Sequence, residues 1–372
     1  MTRYRPTVVE IDLDAIAHNV RLLRPAGADL MAVVKADGYG HGDAEVARVA
    51  LEAGASSLGV SLVEEGLGLR ERGIDAPILV LTEFPPGSEK EALERGLTPT
   101  VYTDEGLAGV AEAARALGRS GGVHLKLDSG MHRVGLWPPE EAPVFARRIL
   151  ESGLELEGLW THFADAERDD AGTLAQLARF RAAVDALAAA RIAPGVLHAA
   201  NSGATIRFPQ THLDLVRPGA AVYGIDPGGG LAEPFGVRPA LSWRSAVTMV
   251  KRLPAGERLS YGGRYALERD ATIATVPVGY DDGFPRQLEA NAEVLIGGRR
   301  QPVAGTITMD QIIVDCGDAA VASGDEVVLI GTQGDERIPV EVLAERAGTI
   351  ARQITTAIGR RVPREYSDGG PR

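Results

Sequence analysis

The chain has one cysteine, Cys316, in 372 residues. A single thiol cannot close an internal disulfide, which agrees with a reducing compartment. Lysine is nearly as scarce: Lys35, Lys90, Lys126 and Lys251 are the only four, and arginine supplies the rest of the positive charge. The balance is acidic, with a formal net charge of −12, and this argues against nucleic acid as the main partner while leaving local basic patches free to bind small anions. No apolar run approaches the roughly 20 residues that span a bilayer, so no membrane insertion is expected. The opening residues, Met1 to Glu10, lack the apolar segment and small-residue cleavage site of a secretory signal. The expected location is therefore the cytoplasm.

What is present is the composition of a soluble globular protein, 45% hydrophobic and 24% charged, in a chain long enough for two domains. Short runs of valine, leucine and isoleucine predict eight strands: Leu30 to Val34, Leu58 to Val60, Ile78 to Leu81, Thr98 to Val101, Val123 to Leu127, Leu156 to Trp160, Gly195 to His198 and Leu213 to Val216. Between them, apolar residues recur at helical spacing over Ala44 to Ala53, Asp104 to Leu117, Pro139 to Leu150 and Leu174 to Ala190. Eight βα units point to an α/β fold with a parallel (β/α)8 barrel over residues 1–235, a doubly wound open sheet being the alternative. Beyond Gly228 to Gly230, read as a linker, the texture changes. Ala240 to Leu253, Ala271 to Val278, Ala292 to Ile296, Thr306 to Asp315 and Asp325 to Ile330 predict a mostly β domain over 236–372. One helix is expected from Val340 to Ile358, and a disordered tail from Ser367 to Arg372.

Lys35 ends an apolar run and opens the glycine-rich segment Val33 to Gly42. Arginine stays protonated, but a lysine amine can lose its proton and condense with a carbonyl as a Schiff base. Barrel enzymes place their chemistry beyond the C-terminal strand ends. Lys35 and Tyr39 follow the first strand, Lys126, Asp128 and Arg133 the fifth, His162 the sixth, Asn201 and Ser202 the seventh, and Arg217 and Gly219 the eighth. The last two loops read as a phosphate cradle, with helix-start N–H groups, a serine hydroxyl and a glycine that lets the backbone approach. A reactive lysine facing such a cradle suggests pyridoxal 5'-phosphate; a barrel for phosphorylated sugars would carry the cradle too.

The lysine segment, Lys126 to Gly135, Thr161 to Ala164, His198 to Ser202, Arg217 to Gly219, Ser260 to Gly262, Gly279 to Gly283 and Thr308 to Asp310 form an ordered series. In that series the chain resembles the alanine racemases of the pyridoxal-phosphate barrel type, almost end to end. The resemblance implies that Lys35 holds the cofactor and serves as one catalytic base, acting on the D-isomer. Tyr261 is implied as the other base, acting on the L-isomer and reaching across from the second subunit of a head-to-tail homodimer. Removing a proton from one face and returning it to the other needs two such groups. The resemblance also implies cofactor contacts for Tyr39, His162, Asn201, Ser202, Arg217, Gly219 and Ala220, and substrate contacts for Arg133 and the backbone of Met309. Lys126 is implied as a carbamylated lysine orienting Arg133, and no metal is implied. The implied activity is interconversion of L- and D-alanine, supplying D-alanine for peptidoglycan. Broader amino-acid racemisation, a non-catalytic cofactor carrier and a related decarboxylase are the competing readings. Departures from the family pattern are Asp37-Gly38 for the commoner Asn-Ala, Thr306 for an arginine, and Arg360 near an expected tyrosine. Cys316 reads as a buried strand residue.

Overall fold

The computed structural model describes residues 4–289 and 291–368, which form two compact units. The first, Ala15–Arg238, is the barrel. Numbering strands in chain order, β1 is Val8–Asp12, β2 Asp29–Val33, β3 Ser57–Val60, β4 Ile78–Val80, β5 Leu97–Thr98, β6 Thr100–Val101, β7 Gly122–Lys126, β8 Glu155–Trp160, β9 Val196–His198 and β10 Leu215–Val216. From β2 onward all eight expected strand regions are present. The fourth is cut in two by Pro99, which has no N–H for the ladder.

The strands run parallel in two arcs, β10-β2-β3-β4-β5 and β6-β7-β8-β9. The Pro99 carbonyl still accepts from the His124 N–H at 2.9 Å, carrying the sheet across the first gap. Across the other gap the Asp214 N–H donates to the Leu197 carbonyl at 3.1 Å, and the Leu197 N–H to the Asp214 carboxylate at 2.8 Å. Met31, Leu79 and Leu215 form one buried apolar cluster among these strands. Trp160, Phe163 and Phe180 are among the largest fully buried side chains, each worth about 1.5–3 kcal/mol on burial. Register places Lys126 beside Trp160, Trp160 beside His198, and His124 beside Gly158. A Cβ on Gly158 would lie 2.4 Å from His124 Nδ1, so the glycine makes the space that the imidazole occupies.

The second unit is mostly β and includes the N-terminal strand, a correction to the reading that placed residues 1–235 together in the barrel. β1 pairs antiparallel with Leu241–Ala246 and parallel with Arg364–Ser367, inside a seven-stranded sheet. Short strands far apart in sequence carry too little pattern to reveal that pairing. Ser367 thus ends a strand, and residues 369–372 of the expected tail lie outside the described residues. Gly228 to Gly230 lies within the barrel unit, where Asp226 accepts from the Gly230 and Ala232 N–H groups at 2.9 Å. The expected single helix at 340–358 is two, Val340–Arg346 and Ala351–Ala357, divided at Gly348 with φ +68°. Of Thr306 to Asp315, only Ile312–Asp315 is strand; Thr308 Oγ1 accepts from the Gln311 N–H at 3.1 Å and turns the chain before it. Cys316 is buried, and that burial pushes its thiol up to about 11, leaving it inert.

Gly158→Ala is expected to overpack the barrel against His124 and lower stability by about 1–3 kcal/mol, read from urea unfolding. Unchanged stability would mean that His124 can move away without loss.

Candidate active site

Lys35 begins a turn of unusual hand. Ala36, Asp37, Gly38 and Tyr39 all have φ between 53° and 57°, a single turn of left-handed helix. Left-handed backbone costs an L-residue about 1–2 kcal/mol and is normally visited one residue at a time. Here the neighbours enforce it. Glu65 accepts from the Ala36 N–H at 2.6 Å and from the Ser61 and Leu62 N–H groups at 2.7 and 3.0 Å. Asp37 accepts from the Asp43 N–H at 3.3 Å, and Arg72 grips the Asp43 carboxylate through both oxygens at 2.5 and 2.7 Å. A Cβ on Gly38 would lie 3.3 Å from the Asp43 backbone, so Gly38 answers both the dihedral and the close approach. Strain collected in the turn that follows a potentially reactive lysine motivates a functional reading of it.

Arg217, after β10, is 3% exposed and has no ion pair among the described residues. Its NH2 donates to the Thr161 and Ala199 carbonyls at 2.6 and 3.2 Å, and its NH1 to His198 Nδ1 at 3.0 Å. A guanidinium only donates, so His198 accepts at Nδ1 and carries its proton on Nε2. That proton points to His124 Nδ1, 2.8 Å away. Burial first, and Arg217 second, hold the His124 imidazole at about 4 and His198 well below the usual range. Both rings are neutral, and Arg217 itself is brought down to about 9 by burial. The Trp160 indole lies under both cations of this layer, 4.7 Å from Arg217 Cζ and 4.3 Å from Lys126 Nζ.

The loops after β9 and β10 are joined through Ser202, whose Oγ accepts from the Gly219 N–H at 2.9 Å and the Ala221 N–H at 3.3 Å. Asn201 caps the Ser202–Arg207 helix by accepting from the Ala204 N–H at 2.9 Å. Ala220 opens the 3-10 turn Ala220–Tyr223. A Cβ on Gly219 would lie 2.4 Å from Tyr39 Oη. The left-handed turn, the serine and the glycine therefore meet at one place, and an added methyl would close it.

Lys126 ends β7 and is 3% exposed. Burial, then Arg133, Arg217 and Lys35, lower its amine to about 7 against a smaller opposing effect of Asp128. His162 lies well below the usual imidazole range through burial and through Arg217, Lys126, Arg133 and Lys35, and is neutral. Arg133 is exposed on the loop beyond β7. Lys35, Lys126, Arg133 and Arg217 thus concentrate positive charge that an anion would relieve.

In the β unit, Tyr261 lies in the 3-10 turn Tyr261–Gly263, at the tip of a hairpin paired by Arg258 with Ala266 and Leu259 with Tyr265. Its side chain is 75% exposed and Met309 50%. Ser260 precedes it at φ 59°, ψ −171°, a region costing a non-glycine residue about 1–3 kcal/mol. The Met309 carbonyl accepts from the Asp281 N–H at 3.1 Å, and Arg361 bridges Asp281 and Asp310. This rivets the Gly279 to Gly283 loop to the Met309 loop.

The sequence reading missed His124, Trp160, Glu65 and Tyr223 as parts of the site, and quoted His198 without a role. Tyr223 donates to the Val33 carbonyl at 3.0 Å, and its ring packs at a tilt 4.9 Å from that of Tyr39. The available signal was alternation: His124 and Lys126 are two apart on one strand and so face one side.

Together these features define a (β/α)8 barrel with an amine at the end of its first strand and an anion cradle beyond its last two, a site of pyridoxal-phosphate type. The residues present fit that group: the cradle admits no side chain at Gly219, and Lys35, Arg133 and Arg217 lie near enough to Lys126 and His162 to act on both electrostatically. Residues 11–227 match the family described as alanine racemase, N-terminal domain, and 240–366 the alanine racemase, C-terminal domain. The chain is 48% identical to the alanine racemase of Symbiobacterium thermophilum, covering 97% of each, and 44% identical to that of Frankia casuarinae, covering 96% of this chain and 95% of the other. Among solved structures it superposes on alanine racemase from Streptomyces lavendulae with TM-score 0.94 at 40% identity, covering 100% and 99%. For the Bacillus anthracis alanine racemase with bound L-Ala-P the TM-score is 0.93 at 38% identity, covering 99% and 96%. The chain belongs to the alanine racemase family, whose members are pyridoxal-phosphate-dependent isomerases. No helix among the described residues is long and apolar enough to cross a membrane.

The lowered amine of Lys126 has a definite sign in stability. Its folded value, about 7, lies below the ordinary 10.5, so the unfolded chain binds the extra proton between those limits. The penalty is complete below about pH 7 and is relieved as pH rises towards 10.5. In CO2-depleted buffer without cofactor, Lys126→Met is expected to raise the unfolding midpoint most at and below neutral pH, the gain shrinking towards pH 10. A gain independent of pH would mean that Lys126 is not desolvated.

Proposed function

We propose that this chain interconverts L- and D-alanine with two bases, Lys35 acting on the D-isomer and Tyr261 on the L-isomer. The observation that carries this reading is the convergence of Lys35, the Tyr39–Gly219–Ser202 cradle and Arg217 in one barrel mouth. When bound, pyridoxal phosphate supplies an electron-withdrawing ring that acidifies the α-proton of an amino acid joined to its carbonyl carbon. The protein's part is placement and proton handling. The left-handed turn fixes the backbone from which Lys35 takes or returns the proton on one face. Tyr261 does the same on the other face. Tyr39, Ser202, Gly219 and Ala220 would hold the phosphate, with Asn201 shaping the loop. Arg217 offers donors only, so beside the cofactor ring it would leave the ring nitrogen unprotonated and the ring a weaker electron sink. That restraint would favour return of the proton over transamination. Neutral His162 lies among these groups and passes protons between them. Arg133 and the Met309 backbone bind the substrate carboxylate.

An amine lowered to about 7 is largely free base in weakly alkaline solution, and Lys126 in that form adds to CO2. A C–N bond forms, one proton leaves, and the resulting carbamate places negative charge beside Arg133. The active unit is a head-to-tail homodimer in the cytoplasm, each site joining one barrel to the β domain of a second copy, and its product supplies peptidoglycan synthesis. The high exposure of Tyr261 and Met309 supports this assembly.

Lys35→Ala and Tyr261→Phe are each expected to lose about 10²–10⁴-fold in racemisation, followed as D-alanine formed from L-alanine. Wild-type protein that binds the cofactor without interconverting the isomers would sink the reading; parallel runs with serine and lysine measure specificity. Unfolding and refolding the two inactive variants together is expected to restore part of the activity, because a mixed dimer rebuilds one complete site. If the mixture stays inactive while mixed dimers form, each chain uses its own tyrosine. Gly219→Ala is expected to weaken pyridoxal-phosphate binding at least ~10-fold by displacing Tyr39, measured by absorbance titration; wild-type affinity would remove Tyr39 from the cradle.

A further inference from the structure

The Tyr261 side chain is highly exposed, and two glycines with positive φ follow it, so its aim depends on its backbone. That backbone is held from the Thr306 segment. Ser260, in its glycine-like conformation, donates through Oγ to the Thr306 carbonyl at 2.6 Å. In return Thr306 Oγ1 lies 3.0 Å from the Tyr261 carbonyl and 3.1 Å from Glu289 Oε1, two acceptors for its one proton. Glu289 also accepts from Arg264 NH1 at 3.1 Å. Thr306 is buried, and Gly305 passes so close that a Cβ there would lie 2.9 Å from the Leu259 carbonyl and 3.0 Å from Ser260 Cβ. The hairpin ladder uses neither hydroxyl.

We propose that Ser260 and Thr306 form a reciprocal latch that fixes the Tyr261 turn, making Thr306 a positioning residue for proton transfer by Tyr261. The proposal rests on the reading of Tyr261 as a base. With the Thr306 hydroxyl removed, the Tyr261 carbonyl loses the donor that it shares with Glu289, and the Ser260 backbone is free to relax from a conformation that its own side chain disfavours. The tyrosine then samples more directions, and transfer on its face slows.

Thr306→Val keeps the volume and removes the proton; Thr306→Ser keeps the proton. Because L- and D-alanine are equally stable, kcat/KM must stay equal in the two directions for every variant, so isotope effects supply the directional readout. Thr306→Val is expected to lower kcat ~10-fold with KM and cofactor affinity little changed. The α-deuterium effect is expected to rise for L-alanine relative to D-alanine, with Thr306→Ser restoring wild-type values. Amide exchange of Gly263, whose N–H donates to the Ser260 carbonyl at 3.2 Å, is expected to accelerate in Thr306→Val. Wild-type rates and isotope effects in Thr306→Val would overturn the latch, as would a rise equal in both directions. Unchanged Gly263 exchange overturns it whether or not the protein racemises alanine. A wild-type chain without racemase activity overturns the reading of Tyr261 instead, and the exchange measurement still decides the latch.

Discussion

Arg217 is a cation at neutral pH, buried in the barrel with no ion pair among the described residues, and much of the site is arranged around that constraint. An unpaired buried charge is costly unless every nearby dipole is turned towards it. Two carbonyls, one imidazole and the face of Trp160 do this. The requirement then propagates. His198 must offer a lone pair, so it must be neutral with its proton on the far nitrogen. His124 must accept that proton, and Gly158 must lack a side chain so that His124 fits. A carboxylate at the position of His198 would satisfy Arg217 more strongly, but it would also oppose the contribution that Arg217 adds to burial in lowering the amine of Lys126 and keeping His162 neutral.

The loops carrying Lys35 and Tyr261 share a second property: both depart from ordinary backbone conformations. The first uses four successive left-handed residues and the second a serine in glycine territory. Each is held by side chains that bond to main-chain groups, Glu65 in one case and the Ser260–Thr306 exchange in the other. Such contacts define direction better than side-chain packing could, because both loops must leave their reactive groups accessible.

The eight barrel strands were legible because each is a short apolar run bounded by helix or turn signals, and parallel strands covered on both faces need no alternation. The position of Lys35 at a strand end was legible for the same reason. The pairing of Val8–Asp12 with Leu241–Ala246 was not, since register between segments more than 200 residues apart leaves no local trace. Nor was the break at Gly348, where helical apolar spacing continues through the turn. Within the candidate site, the residues proposed to meet a ligand stood out by type, while those that support them did not. Glu65 looks like any acidic residue in a first helical turn. Trp160 and His124 look like core. Their functions arise from register and burial, which a linear pattern does not encode.

The scarcity of lysine takes on meaning in this setting. Lys90 and Lys251 are exposed, where arginine would serve equally well as a solvated charge. Lys35 and Lys126 stand in the barrel mouth, where arginine would not serve. An arginine retains its proton and so can neither remove one from substrate nor add to CO2 as a free amine. Conversely, a lysine in place of Arg217 would shed its proton under the same burial and offer an acceptor to a ring nitrogen. The cations of this site are thus divided by chemistry. On the proposed mechanism, the groups that change protonation state are lysines, and the group that keeps its proton is an arginine. In a chain that otherwise prefers arginine for positive charge, that division explains why these two lysines are present.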